Sequence, residues 1–200
     1  MKLRNLLVAT VSAAVLLYAL GSVASARNFS VSSQSQRAVF ETVEFHFPSS
    51  TTRCQLTLES SFHSRTMVKT SGSLVGYVTS ATLGPCATGT ATILSESLPW
   101  HIRYSGFQGT LPRITSQIFH ILSATWRIRE AGGIACLARS SATEPLIQRV
   151  HVDGSGHETV ELEGSIRTGV ECFGLSGSVR SDLAPICVPN TETKIAVTLI

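Results

Sequence analysis

The chain has 200 residues, only 14% of them charged, and a formal net charge of +3. Without residues 1–26, which hold Lys2 and Arg4, 14 basic residues face 13 acidic ones, and no basic run stands out. That balance argues against a nucleic-acid partner, whose phosphates are met by clustered cations.

The first element is the leader. Met1 to Arg4 form a short positive start, Leu6 to Leu20 run without a charge, and Ala24-Ser25-Ala26 follows Gly21. Small side chains at Ala24 and Ala26 suit the shallow pockets of a signal peptidase, so the pattern predicts a secretory signal cleaved after Ala26. The apolar run is shorter than the roughly 20 residues that span a bilayer. No later stretch is long and apolar enough to serve as an anchor. The remaining chain, about 174 residues, is the size of one domain.

Residues 27–36 read as a loose, Ser-rich polar lead, and 37–200 as a single domain. From Arg37 onward the hydrophobic pattern has period two. Val39, Glu41, Val43, Phe45 and Phe47 fall on one face, Phe40, Thr42, Glu44 and His46 on the other, until Pro48. Cys54, Leu56 and Leu58 alternate with polar residues. Val75, Tyr77 and Thr79 form a further strand, and Ala91 to Leu94 a short one. Trp100, Ile102 and Tyr104 alternate with His101, Arg103 and Ser105, the clearest half-buried strand in the chain. Ile114 to Ile128 reads as two strands bent near Ser123, or as a short helix around Ile118-Phe119 and Ile121-Leu122.

Gly132-Gly133 predicts a turn, with a strand around Cys136 after it. Leu146 to Val152 and Glu158 to Leu162 flank Asp153-Gly154-Ser155-Gly156, a hairpin connection. Val170 to Phe173, Ser176 to Val179 and Lys194 to Ile200 complete the series. The fold expected is all-β, an antiparallel β-sandwich or barrel of about ten to twelve short strands.

Cys54, Cys86, Cys136, Cys172 and Cys187 predict disulfides in an oxidising compartment. Sequence alone leaves the connectivity open. The favoured pairs are Cys54–Cys86 and Cys136–Cys172, since each closes one contiguous segment between β-like stretches. Cys187, between Pro185 and Pro189 in a loop, is then the unpaired thiol. No C-x-x-C or ligand-spaced His supports a metal site instead.

Several phrases form a set: C-Q-L-T-L-E-S-S-F-H-S-R-T from Cys54, L-V-G-Y-V-T from Leu74, L-P-W-H-I-R-Y-S-G-F-Q-G-T-L-P-R-I-T from Leu98, and the terminal I-A-V-T-L-I. Together they resemble a group of uncharacterised small secreted proteins of actinobacteria, over most of the chain from about Val39. The resemblance implies export and a shared β domain. It implies no activity and carries over no functional residue.

The candidate chemistries are few. His151, Asp153, His157 and Glu158 are metal-ligating types at one hairpin, although polar hairpin tips have the same composition. Gly174-Leu175-Ser176-Gly177 approaches a nucleophile elbow but lacks its final glycine. Glu41, Glu44, Glu59, Glu96, Glu161 and Glu163 could supply a carboxylate pair, and nothing marks any two. Arg127-Ile128-Arg129 reads as a solvated strand face beside Glu130. Trp100 and Tyr104, two turns of the pleat apart, are the candidate surface for a glycan or protein partner, against the alternative that they fill the core. Phe107 and Leu111 offer a second possible patch. No cofactor is expected. The sequence reads best as an exported, non-catalytic β domain that binds an envelope glycan or protein; the alternative is a small secreted hydrolase.

Overall fold

A computed structural model of the protein describes residues 28–199, apart from 49, 112, 130–132, 134, 155, 156 and 173. The leader with Ala24 and Ala26, Gly132, Glu130 and the hairpin tip at Ser155-Gly156 lie outside the described residues.

The described strands run β1 (Asn28–Val31), β2 (Ser35–Phe47), β3 (Ser50–Phe62), β4 (Thr66–Val68) and β5 (Leu74–Cys86). Then come β6 (Thr90–Ile93), β7 (Trp100–Thr110), β8 (Arg113–Leu122), β9 (Thr125–Arg129) and β10 (Ala135–Arg139). Last are β11 (Leu146–Val152), β12 (Glu158–Thr168), β13 (Ser176–Ser181), β14 (Ala184–Cys187) and β15 (Val197–Leu199). All their pairings are antiparallel.

The order β11-β8-β7-β5-β3-β2-β13-β12 closes on itself, because β11 pairs with β12 as well as with β8. The result is an eight-stranded barrel. Its stagger can be followed along one outward row of cross-strand partners, Leu74, Arg103, His120, Ile147, Glu163, Arg180, Glu44 and Arg53. Arg53 then accepts from the Ala87 backbone N–H, so the row returns about a dozen residues along from Leu74. A stagger of this kind is what tilts barrel strands and lets the sheet close.

The imperfect alternation of β2 has a physical cause. A bulge between Phe40 and Val43 switches the strand's parity, so Ala38 and Phe40 point inward before it and Val43 and Phe45 after it. Val39 is consequently exposed. Inserting one residue in a strand does this without breaking the ladder around it.

Both ends of the barrel are covered. At one end the three-stranded sheet β15-β1-β4 sets Phe29 against Tyr104 and Phe107, with ring centroids 5.9 and 6.4 Å apart. At the other the flap β6-β9-β10 lays Trp126 against Trp100 (5.6 Å) and Phe45 (5.8 Å). The interior is filled by side chains. A void lined by Gln36, Phe40, Leu58 and Gln148 measures about 10 Å³, room for roughly one water.

The flap leaves the ring at a bend. Ser123 has φ 69°, and the Oγ of buried Ser140 accepts the Ala124 N–H at 3.0 Å and donates to the Ile121 carbonyl at 3.1 Å. One hydroxyl therefore satisfies two backbone groups that the bend exposes. Ile114 to Ile128 is thus two bent strands, with no helix. Residues 141–145 are an excursion between β10 and β11, which otherwise continue one another alongside β12.

Three expectations are corrected. Part of the lead taken as loose is β1, held between β15 and β4 with Phe29 and Val31 buried. Val170 to Cys172 is a 3-10 turn, where a strand was expected. Cys187 closes β14, where a loop was expected, paired with Arg37 of β2. For β1 and β14 the deciding partners are remote in the chain, whereas the turn at Val170 is closed locally by the Cys172 N–H on the Gly169 carbonyl.

Cys54 is bonded to Cys86 across β3 and β5, and Cys136 to Cys172, tying β10 to the 3-10 turn. Cys187 is free and half-buried. Closing loops with separations of 32 and 36 residues is worth about 3–4 kcal/mol each in the chain-entropy picture. Bridges of this sort fit an oxidising, extracellular environment. No helix among the described residues is long and apolar enough to cross a membrane.

Candidate functional site

The barrel's outward face carries the polar chemistry, because alternation sends every second side chain there. On β11 and β12, Arg149 Nε lies 3.1 Å from Glu161 Oε1, and its Nη2 also bonds Glu163. His151 Nε2 reaches the same Glu161 oxygen at 3.1 Å. On β2 and β3, Arg53 Nε donates to Glu44 Oε1 at 2.6 Å, and His46 lies between Glu44 Oε2 (2.8 Å) and Thr51 Oγ1 (3.0 Å). The Arg53 hydrogen bond, joined by Arg53's charge and by His46, holds the Glu44 carboxyl below its usual range.

Loop 141–145 stands out from this face and lines two clefts, and a third adjoins the second. The first, about 570 Å³, lies between Thr143, Glu144 and Pro145 on one side and Ser165, Ser178 and Arg180 on the other. The second, about 450 Å³, shares Thr143 and Glu144 with it and adds Leu137, Arg139, Ser141 and Arg167. The third, about 270 Å³, shares Leu137 and Arg139 with the second and adds Leu94, Ser97, Thr125 and Arg127. Glu144 is tied to Arg167 by a 2.8 Å ion pair, which pins the loop to β12. Gly164 permits the close approach beneath it, since a Cβ there would stand 2.8 Å from the Pro145 carbonyl oxygen. The three clefts form one open groove, rimmed by hydroxyl and guanidinium groups, with Leu94, Leu137 and Ile147 along its walls.

The residues singled out by sequence are distributed differently. Trp100 and Tyr104 were the candidate partner surface, and both are in the core, 0% and 2% exposed. Ring stacking on a ligand needs an open face. Trp100 is instead covered by Trp126, its Nε1 donating to Ser97 Oγ at 2.9 Å, and Tyr104 packs against Phe29 and Phe119. Surface rings occur elsewhere, as a row of His63 just past β3, Tyr77 of β5 and His101 of β7, with centroids 5.0 and 5.4 Å apart. Each belongs to a separate phrase of the sequence, and only the register joins them. Phe107 packs on the core, while Leu111 is about half exposed.

The hairpin cluster divides. His151 points outward to Glu161, Asp153 accepts the His157 backbone N–H at 2.9 Å, and Glu158 is buried, 2% exposed. No group of three or more metal-ligating side chains that could hold an ion occurs among the described residues. Gly174 has φ 61° and leads into strand β13, without the helix that follows a nucleophile elbow. Glu161 and Glu163 share one strand face and one arginine, so they do not oppose each other across a cleft.

Compared with known proteins, the chain matches no protein-family model, no curated protein and no solved structure.

Proposed function

We propose that the protein is exported, with its leader removed after Ala26, and that it works outside the cytoplasm as a non-catalytic binding domain. Its ligand, a glycan or protein of the cell envelope, lies in the groove along loop 141–145. One observation carries this reading: the barrel is filled and covered at both ends, while three polar-rimmed clefts adjoin on its outside. Binding sites are concave with a few convergent polar groups, and the groove meets that description. The two disulfides and the resemblance to small secreted proteins support export. The test is binding of the purified mature chain to glycan and cell-wall arrays, beside Thr143→Trp, which fills the partition shared by two clefts. Binding lost in the variant, with its melting temperature unchanged, supports the groove; undiminished binding refutes it.

A second reading, a small hydrolase, has one observation in its favour. Glu44, His46 and Thr51 form a carboxylate–imidazole–hydroxyl relay, the connectivity of an activated nucleophile. None of the three lines a cleft, and His46 is engaged on both nitrogens by neighbours on its own strand and β3. Ester turnover that disappears in His46→Ala would replace the first reading.

A further inference from the structure

The arginines that look scattered in sequence converge in space. Arg127 and Arg129 of β9, Arg139 of β10 and Arg167 of β12 are all exposed on one face of three neighbouring strands. Arg139 lies directly opposite Arg167 in the register, and Arg127 opposite Leu137, two residues from Arg139. Neighbouring strands are about 4.8 Å apart, so these arginines are rooted in a band of sheet about 10 Å across. Among the described residues, Glu144, bonded to Arg167, and Glu96, at the rim of the third cleft, are acids beside them. Arg127, Arg129 and Arg139 make no ion pair among the described residues. Like charges directly opposite one another destabilise a sheet. Arg139 and Arg167 are held in that arrangement at the mouth of a cleft.

From this arrangement, and resting on the groove as the binding site, we infer that the ligand is an acidic polysaccharide. Carboxylates on its sugar units are gripped by Arg127, Arg139 and Arg167 in the second and third clefts. Guanidinium forks take carboxylates in paired hydrogen bonds. Ser141 and Thr143 supply hydroxyl partners for sugar hydroxyls, and Leu94 and Leu137 a small apolar surface for ring C–H groups. Among the described residues that line these clefts there is no ring on which bases would stack, a main source of single-strand affinity. A carboxylated glycan therefore fits the lining better than a nucleic acid does.

The experiment titrates the purified, disulfide-intact mature chain with polygalacturonate at low and at physiological ionic strength. Dextran, dextran sulfate and polyphosphate serve as comparison polymers. Polygalacturonate binding that weakens with salt, and weakens about tenfold or more in the double variant Arg127→Gln/Arg139→Gln, is the result expected. Arg139→Lys should lose part of the affinity, because an ammonium cannot form the fork. Arg127 and Arg139 are both exposed, so unchanged melting temperatures are expected and serve as the folding control. Equal or tighter binding of dextran sulfate or polyphosphate would overturn the inference in favour of a general polyanion site. Binding of dextran alone, or of a neutral array glycan, unaffected by the double variant, would overturn it too, yet leave the groove as a glycan site. Binding to no glycan or cell-wall material would remove the groove reading as well.

Discussion

Glu158 provides the sharpest quantitative test of the fold. It begins β12 opposite Val152 with its side chain turned inward, ahead of buried Val160 and Leu162. Burial pushes its carboxyl up to about 8 from an ordinary 4.5. The unfolded chain releases that proton near pH 4.5, while the folded chain keeps it until about pH 8. Between these values the unfolded state binds fewer protons, so stability falls as pH rises. The contribution is fully present below about pH 4.5 and lost by the time pH passes 8. Each pKa unit is worth about 1.4 kcal/mol, so at pH 7 the buried acid lowers stability by about 3 kcal/mol. Glu158→Gln keeps the shape and cannot ionise. Urea unfolding followed by the fluorescence of buried Trp100 and Trp126 should find the variant about 3 kcal/mol more stable at pH 7, with the two proteins converging near pH 4. A variant less stable than the parent at pH 7, or a difference that does not shrink on acidification, would refute the inward placement of this carboxyl.

The remaining predictions concern single groups. Ser140→Ala strands the buried Ala124 N–H and the Ile121 carbonyl, so it should destabilise by about 2–3 kcal/mol in urea unfolding. Tyr104→Phe removes a buried hydroxyl with no hydrogen-bond partner among the described residues, so its melting temperature should equal or exceed the parent's. Gly164→Ala drives a methyl against the Pro145 carbonyl and displaces loop 141–145; proteolysis should cut that loop faster while the barrel's circular dichroism is retained.

Much of the fold was legible in local pattern. The alternation of Trp100, Ile102 and Tyr104, the bend near Ser123 and the cysteine-bounded segments each depend on residues near one another in the chain. Where the pattern failed, the cause was geometric. The bulge in β2 reversed inside and outside midway along a strand, and the short strands β1, β4 and β14 gain stability only from partners far away. The candidate site was the least legible part. Trp100 and Tyr104 share a face, as their spacing requires, but spacing does not say which side of a sheet meets water.

The sequence by itself determined an all-β chain with cysteines placed beside its strands, since period, turn residues and cysteine placement are local quantities. Closure of the barrel, the covering of its two ends and the groove at loop 141–145 were decided only by the tertiary structure. The reason is register: Arg139 meets Arg167, and His63, Tyr77 and His101 form a row, through strand pairings that bring distant segments side by side.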